Sequence, residues 1–223
     1  MTATDAKPLW AVGTYADDRG RPVPWEISHD EINRDIGVAT QVLTELGVAG
    51  GRVLWCSMLS QAGQHWPYVC GTVLAGAKLS CADSTYGEAL RVSMFLRLMG
   101  YDAVFGMTPA LLDGLEASGR APIDVFGGVR IVGAYPGAYE RLLAAGLAPW
   151  RVALCGPAIA IGRAPGGPAH VPESEWELVD LGGGRVGITS RQPRATSFIR
   201  TPIAVRGTIV DGGIVPEPVA PSA

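Results

Sequence analysis

The stretch Arg52–Ala82, RVLWCSMLSQAGQHWPYVCGTVLAGAKLSCA, restricts the fold more than any other part of the chain. Val53–Cys56 and Leu79–Cys81 are apolar runs too short for helices, so they read as buried strands. Between them Pro67–Ala75 reads as a helix that stops at Gly76. Two strands joined by a helix are parallel, and such a crossover is right-handed. In open sheets of this kind ligands lie beyond the carboxyl ends of the strands. Ser57–Trp66 is therefore expected to be a loop that faces a ligand.

The same alternation continues downstream. Ala103–Phe105, Val129–Val132 and Val152–Cys155 read as further strands. Glu88–Met99, Pro109–Ala117 and Ala138–Ala145 read as helices. Thr108-Pro109 is an N-cap followed by Pro at the first helical position. The expected fold class is α/β, a parallel sheet flanked by helices on both faces. Upstream, Leu9–Thr14 and Pro22–Ile27 flank the turn residues Asp17-Asp-Arg-Gly20 and form a hairpin. Ser28-His-Asp-Glu31 is a capping box for a helix whose apolar face is Ile32, Ile36, Ala39, Leu43 and Leu46, closed by Gly47. Beyond Pro157 the pattern changes. A Gly/Pro-rich loop leads to Glu175–Leu181, Arg185–Thr189, Thr196–Arg200 and Ile203–Val210, read as strands of a small β-barrel-like appendage. The expected division is an α/β domain over 1–160, a small β subdomain over 161–215 and a disordered tail over 216–223.

Composition narrows the function. At 223 residues and 48% hydrophobic, the chain can bury a sizeable core. A formal charge of −3 with lysine only at Lys7 and Lys78 disfavours nucleic acid. No apolar run nears the roughly 20 residues that span a bilayer, and the N-terminus lacks a signal-peptide pattern. Cys56, Cys70, Cys81 and Cys155 have no CxxC spacing, which fits reduced thiols in a cytoplasmic protein. With three histidines, no metal site of the usual Cys/His spacing is visible.

Four stretches add a further signal. WEISHDEINRDIGVATQVLTELGVAGGRVL comes first, then GTVLAGAKLSCADSTYGEALRVSMFLRLMGYDAVFGMTPALLDGLEASG with its turn Gly106-Met-Thr-Pro109. Gly133-Ala-Tyr-Pro136 follows, and last come HVPESEWELVD and GRVGITSRQPRATSFIRT. In this order, from about Val12 to Val210, they resemble the phenylacetate–CoA ligase branch of the adenylate-forming (acyl-CoA synthetase) superfamily. The resemblance implies a truncated, degenerate member. The subdomain before the family's phosphate loop and the lid with its catalytic lysine have no counterpart. The loop itself falls on Gly13–Pro22, where Asp17 and Asp18 bring carboxylates to a place that ordinarily cradles phosphate. The family's magnesium-binding Glu falls on Ile159, and its ribose-binding Asp falls near Val205. Isoleucine offers magnesium no oxygen. ATP-dependent adenylation is thus expected to be lost, with no cofactor and no metal.

The resemblance also implies that Ser60–Tyr68 lines a pocket for an aryl or acyl ligand. His65 could act as general acid or base. Trp66 and Tyr68 could stack on a ring, and Gln61 and Gln64 could bond a carbonyl. Tyr135 could face the same pocket. Cys155 could be a nucleophile, and Asp83 and Ser84 could border the ligand. Each has a bland alternative: a satisfied core histidine, rim aromatics, a buried thiol, helix-capping side chains. The expected function is a tailoring enzyme of secondary metabolism that reuses the pocket without ATP, for cyclisation, isomerisation, dehydration or hydrolysis. The alternatives are a non-catalytic ligand-binding or scaffold partner of a full-length ligase, and residual ligase activity. A homodimer is plausible from the resemblance alone.

Overall fold

The capping box at Ser28 forms as its residues dictate. Ser28 N donates to Glu31 Oε2 at 2.7 Å, and Glu31 N donates to Ser28 Oγ at 3.3 Å. In the computed structural model, which describes residues 8–218, this cap starts α1 (His29–Glu45) directly after the hairpin of β1 (Leu9–Ala16) and β2 (Pro22–Ser28).

Five parallel strands follow: β3 (Arg52–Cys56), β4 (Lys78–Ala82), β5 (Ala103–Met107), β6 (Ile131–Ala134) and β7 (Trp150–Cys155). Their connections are α2 (Ala62–Leu74), α3 (Ala89–Met99), α4 (Pro109–Ala117) with α5 (Pro122–Phe126), and α6 (Ala138–Ala144). The spatial order β4-β3-β5-β6-β7 makes this a doubly wound sheet. The chain leaves β3 in one direction through α2 and returns past it to β5, so the switch point lies between the carboxyl ends of β3 and β5. Alternate strand residues separate the two faces. Val53, Trp55, Phe105 and Ile131 pack with α1 and α2. Leu54, Val104 and Val132 pack with α3 to α6.

The last strands pair on from β7 into the same sheet. β8 (Ala158–Gly162), β9 (Ala169–His170), β10 (Trp176–Gly182), β11 (Arg185–Ser190), β12 (Thr201–Val210) and β13 (Gly213–Pro216) continue the ladder antiparallel from β7. One eleven-stranded sheet results, in the order β10-β11-β12-β13-β9-β8-β7-β6-β5-β3-β4. Ala158–Gly162 alternates Ala and Ile and pairs back on β7 as a tight hairpin, where the sequence reading placed only loop. Of the expected tail 216–223, Pro216 ends a paired strand, and 219–223 lie outside the described residues.

Three local expectations also shift. Val129 N donates to Phe126 O in a turn, so the fourth parallel strand begins at Ile131. Thr196–Arg200 forms no strand, because side chains take its neighbours' backbone groups: Ala195 N donates to Glu31 Oε1 at 3.1 Å, and Thr196 Oγ1 accepts from Glu26 N at 2.8 Å. Most important for the site, the segment before Pro67 is not a loop. A single 3₁₀ turn at Leu59–Gln61 leads into α2, which starts at Ala62 and contains Pro67. Proline has the right φ for a helix and forfeits a single intrahelical bond there.

Candidate functional site

Because Gln61–Tyr68 is helical, its side chains fan out in different directions instead of converging. Gln61 and Gln64 reach an open cleft of about 310 Å³ between the β1–β2 turn, the Ser60–Gln64 segment and the β7–β8 turn. The hairpin reaches this position by docking on the first turn of α2. Trp25 sits over Gly13, its cross-strand partner, and over Gly63, where added Cβ atoms would come within 2.4 and 2.9 Å of the indole. Only glycine allows that approach. Gln64 then ties the parts together: its Nε2 donates to Thr14 O at 2.9 Å and to Gly156 O at 3.2 Å. These two acceptors fix which end of the amide is nitrogen. Oε1 has no partner, and a void of about 30 Å³, room for a single water, lies beside Gln64.

His65 points the other way, into the core, and is 2% exposed. Its ring meets Trp55 edge-on at 6.2 Å. Nδ1 lies 3.0 Å from Gln61 O, and a carbonyl can only accept, so Nδ1 carries the proton. Nε2 therefore accepts from the Tyr135 hydroxyl, also at 3.0 Å. Burial lowers the imidazole's pKa to about 4, only partly offset by the bond to Gln61. Burial likewise raises the Tyr135 phenol, so both groups are neutral at pH 7. The structure brings these two expected residues together as a hydrogen-bonded pair in which both ring nitrogens of His65 are engaged.

The other candidates separate. Trp66 projects outward, 44% exposed, with its ring 6.2 Å from Trp10 of the hairpin. Tyr68 is buried; its hydroxyl donates to Ile159 O at 3.2 Å and its ring packs on Trp55. Cys155 is fully buried in the Trp25–Trp176–Phe198 cluster, and burial pushes its thiol up to about 12, so it stays protonated. Its neighbours Leu154 and Gly156 wall the cleft while Cys155 faces away. Asp83 and Ser84 follow β4, and neither lines the cleft. Asp83 is exposed; Ser84 is buried and its carbonyl accepts from Thr108 Oγ1 at 2.7 Å. No cluster of His, Cys, Asp and Glu suited to a metal occurs among the described residues.

Ser60 lines the cleft with Gln61 and Gln64, whereas sequence reasoning missed Tyr15 and Gly156 as cleft walls. The available signal is the hairpin: its turn falls at the phosphate-loop position of the resemblance, so whatever it covers borders the site. Ile159 lies in the core as a β8 residue opposite Leu154, and Val205 packs against the β-rich core from β12. Asp17 and Asp18 are not free carboxylates. Asp17 closes on Arg21 at 2.6 Å, and Asp18 lies 3.6 Å from Arg185. No helix among the described residues is long and apolar enough to cross a membrane.

The sequence matches no protein-family model and no curated protein. Its fold does have relatives. An open conformation of 2-hydroxyisobutyryl-CoA ligase, in complex with 2-HIB-AMP and CoA, superposes with a TM-score of 0.65 at 16% identity, covering 90% of this chain and 52% of that one. The N-terminal subdomain of Klebsiella oxytoca NpsA, in complex with 3-hydroxyanthranilyl-AMSN, gives 0.63 at 15% identity over 96% of this chain and 63% of that one. An ATP-bound RpMatB–BxBclM chimera gives 0.53 at 15% identity over 89% and 42%. The chain thus spans about half the length of the 2-hydroxyisobutyryl-CoA ligase it matches. At these identities the likeness is one of fold, and the fold is that of the N-terminal domain of adenylate-forming acyl-CoA ligases.

Proposed function

We propose that this chain binds a small acyl or aryl compound in the cleft beneath the hairpin and does not adenylate it. The carrying observation is the chemistry of the cleft wall. Its polar groups are amides, hydroxyls and backbone, and Tyr15 is its only ionisable side chain. Burial and, secondly, the charge of Asp17 hold the Tyr15 phenol above its ordinary range, so the wall offers no proton-transfer group at neutral pH. At about 310 Å³ the cleft is at the lower end of small-ligand sites. Its place beside the carboxyl ends of the strands supports the same reading. The closed Asp17–Arg21 turn and the buried Ile159 argue against magnesium–ATP chemistry.

Turnover without ATP, as in a tailoring enzyme of secondary metabolism, is a second reading. It draws on the 3.0 Å hydrogen bond between His65 and Tyr135 at the strand ends. That reading needs the pair to open toward the cleft before His65 can take a proton.

The test is a ligand search by NMR and thermal shift with aryl and acyl acids, esters and amides, on the wild type and on Ala204→Trp. Ala204 is an exposed wall residue, so the indole fills the cleft without disturbing the core. A binder weakened at least about tenfold by Ala204→Trp fits the proposal. Equal binding to both proteins, or tight magnesium-dependent binding of ATP, overturns it. A slow reaction abolished by His65→Ala would instead favour turnover.

A further inference from the structure

The turn between β1 and β2 is shaped as an anion receptor, and the chain fills it with its own side chain. Asp17 Oδ1 accepts from the backbone amides of Arg19 and Arg21, each at 2.9 Å. Asp17 Oδ2 accepts from Arg21 Nε at 2.8 Å and from Arg21 Nη2 at 2.6 Å. Four donors converge on one carboxylate, and Asp17 is only 8% exposed. Backbone amides beside a guanidinium fork are the donors that recognise phosphates and carboxylates. The frame of the receptor has other supports. Asp17 N donates to Arg21 O at 3.0 Å, Gly20 N donates to Asp17 O at 2.9 Å, and the ladder beneath is set by the Ala16–Pro22 pair. The turn also walls the cleft, through Tyr15, Ala16, Gly20 and Pro22.

We infer that Asp17 is a built-in surrogate anion, which occupies the oxyanion receptor of the hairpin turn and excludes phosphate-bearing ligands from the adjoining cleft. A phosphate arriving at the turn meets a competitor that is tethered to the same loop and already occupies both backbone amides and the Nε–Nη2 edge of Arg21. It also meets that competitor's negative charge at contact distance. Uncharged ligands meet neither obstacle. The statement about the cleft rests on the proposed ligand site; the receptor in the turn does not.

Isothermal titration with inorganic pyrophosphate tests the receptor without any organic ligand. Asp17→Ser removes the charge, frees Arg21 and keeps an oxygen that can hold the turn. Asp17→Asn is the closer isostere and serves if the serine variant does not fold. We expect either folded variant to bind pyrophosphate at least about tenfold more tightly than the wild type. The gain should vanish when Arg21→Ala is added. In the wild type, pyrophosphate should leave the Arg19 and Arg21 amide resonances unmoved. A saturable shift of those resonances, no gain in the folded variants, or a gain that survives Arg21→Ala overturns the inference. If pyrophosphate behaves as expected and the organic search finds nothing, the ligand reading fails and the receptor stands.

Discussion

Within two turns, α2 serves a sealed face and an open one, and the two treat polar groups differently. On the sealed face every polar atom has a partner inside the protein. Trp55 Nε1 donates to Thr72 Oγ1 at 2.9 Å, the Tyr68 hydroxyl donates to Ile159 O, and both nitrogens of His65 are engaged. On the open face the Gln61 side chain is held only by a long contact of 3.4 Å from Met58 N. Satisfied, buried polar groups fix geometry; polar groups with spare capacity at a cleft are available to a ligand. The difference explains why the most reactive side chain in the segment, His65, is the least accessible to substrate.

The contrast predicts a steep gradient of stability across one helix. The largest loss belongs to Trp55→Ala. The indole is fully buried and stacks on Phe105 with centroids 4.6 Å apart. Truncation should cost about 3–5 kcal/mol in urea unfolding. A loss near 1 kcal/mol would mean that the face is not sealed.

The next effect appears with pH. Buried neutral, His65 has a folded pKa of about 4 against 6.5 for the free side chain. Between those values the unfolded chain binds a proton that the folded chain refuses, so stability falls as the solution becomes more acidic. The contribution is complete above pH 6.5, erodes on the way down to pH 4, and amounts to about 3 kcal/mol. His65→Leu should remove this component from the pH profile of unfolding. An unchanged profile would place the imidazole in contact with water. Smaller still is Tyr135→Phe, which leaves Nε2 of His65 without its donor. The expected cost is about 1–2 kcal/mol, and it should disappear when the same change is made in a His65→Leu background.

How much of this could be read from the residues follows the range of the interaction. Ser28 and Glu31 are three apart, and their capping box forms as spelled. Thr108 caps α4 and accepts from Leu111 N at 3.2 Å, again a local matter. The alternation of strands and helices was legible because each buried strand is a short apolar run. The phase of α2 was not, since Pro67 made Ser57–Trp66 look like loop; only packing of Tyr68 and His65 against Trp55 settles that the helix starts at Ala62. Nor was the buried ion network legible. Arg194 forks onto Asp35 at 2.7 and 2.8 Å, bonds Glu175 at 2.8 Å and lies over the Trp176 ring at 3.9 Å. Asp35 and Arg194 are 159 residues apart, and no spacing rule joins them. For the site, residue type named the right helix, and only its three-dimensional phase sorts Gln61 and Gln64 from His65, Trp66 and Tyr68.

The smallest effect on stability should coincide with an effect on binding, and that pairing tests the comparison most sharply. Gln61 lies at the mouth of the cleft, and its side chain makes one marginal internal contact. Its backbone carbonyl, which holds His65, survives substitution. Gln61→Ala should therefore change unfolding free energy by no more than about 0.5 kcal/mol, as at other surface positions. If the cleft is the ligand site, the same change should weaken a bound acyl or aryl compound by about 0.5–1.5 kcal/mol, the worth of one neutral hydrogen bond. A stability loss of several kcal/mol would mean that Gln61 belongs to the sealed face after all, whereas unchanged affinity for a ligand displaced by Ala204→Trp would remove it from the site. The two readouts move oppositely on the two faces: a core residue loses stability first, and a cleft residue loses ligand first.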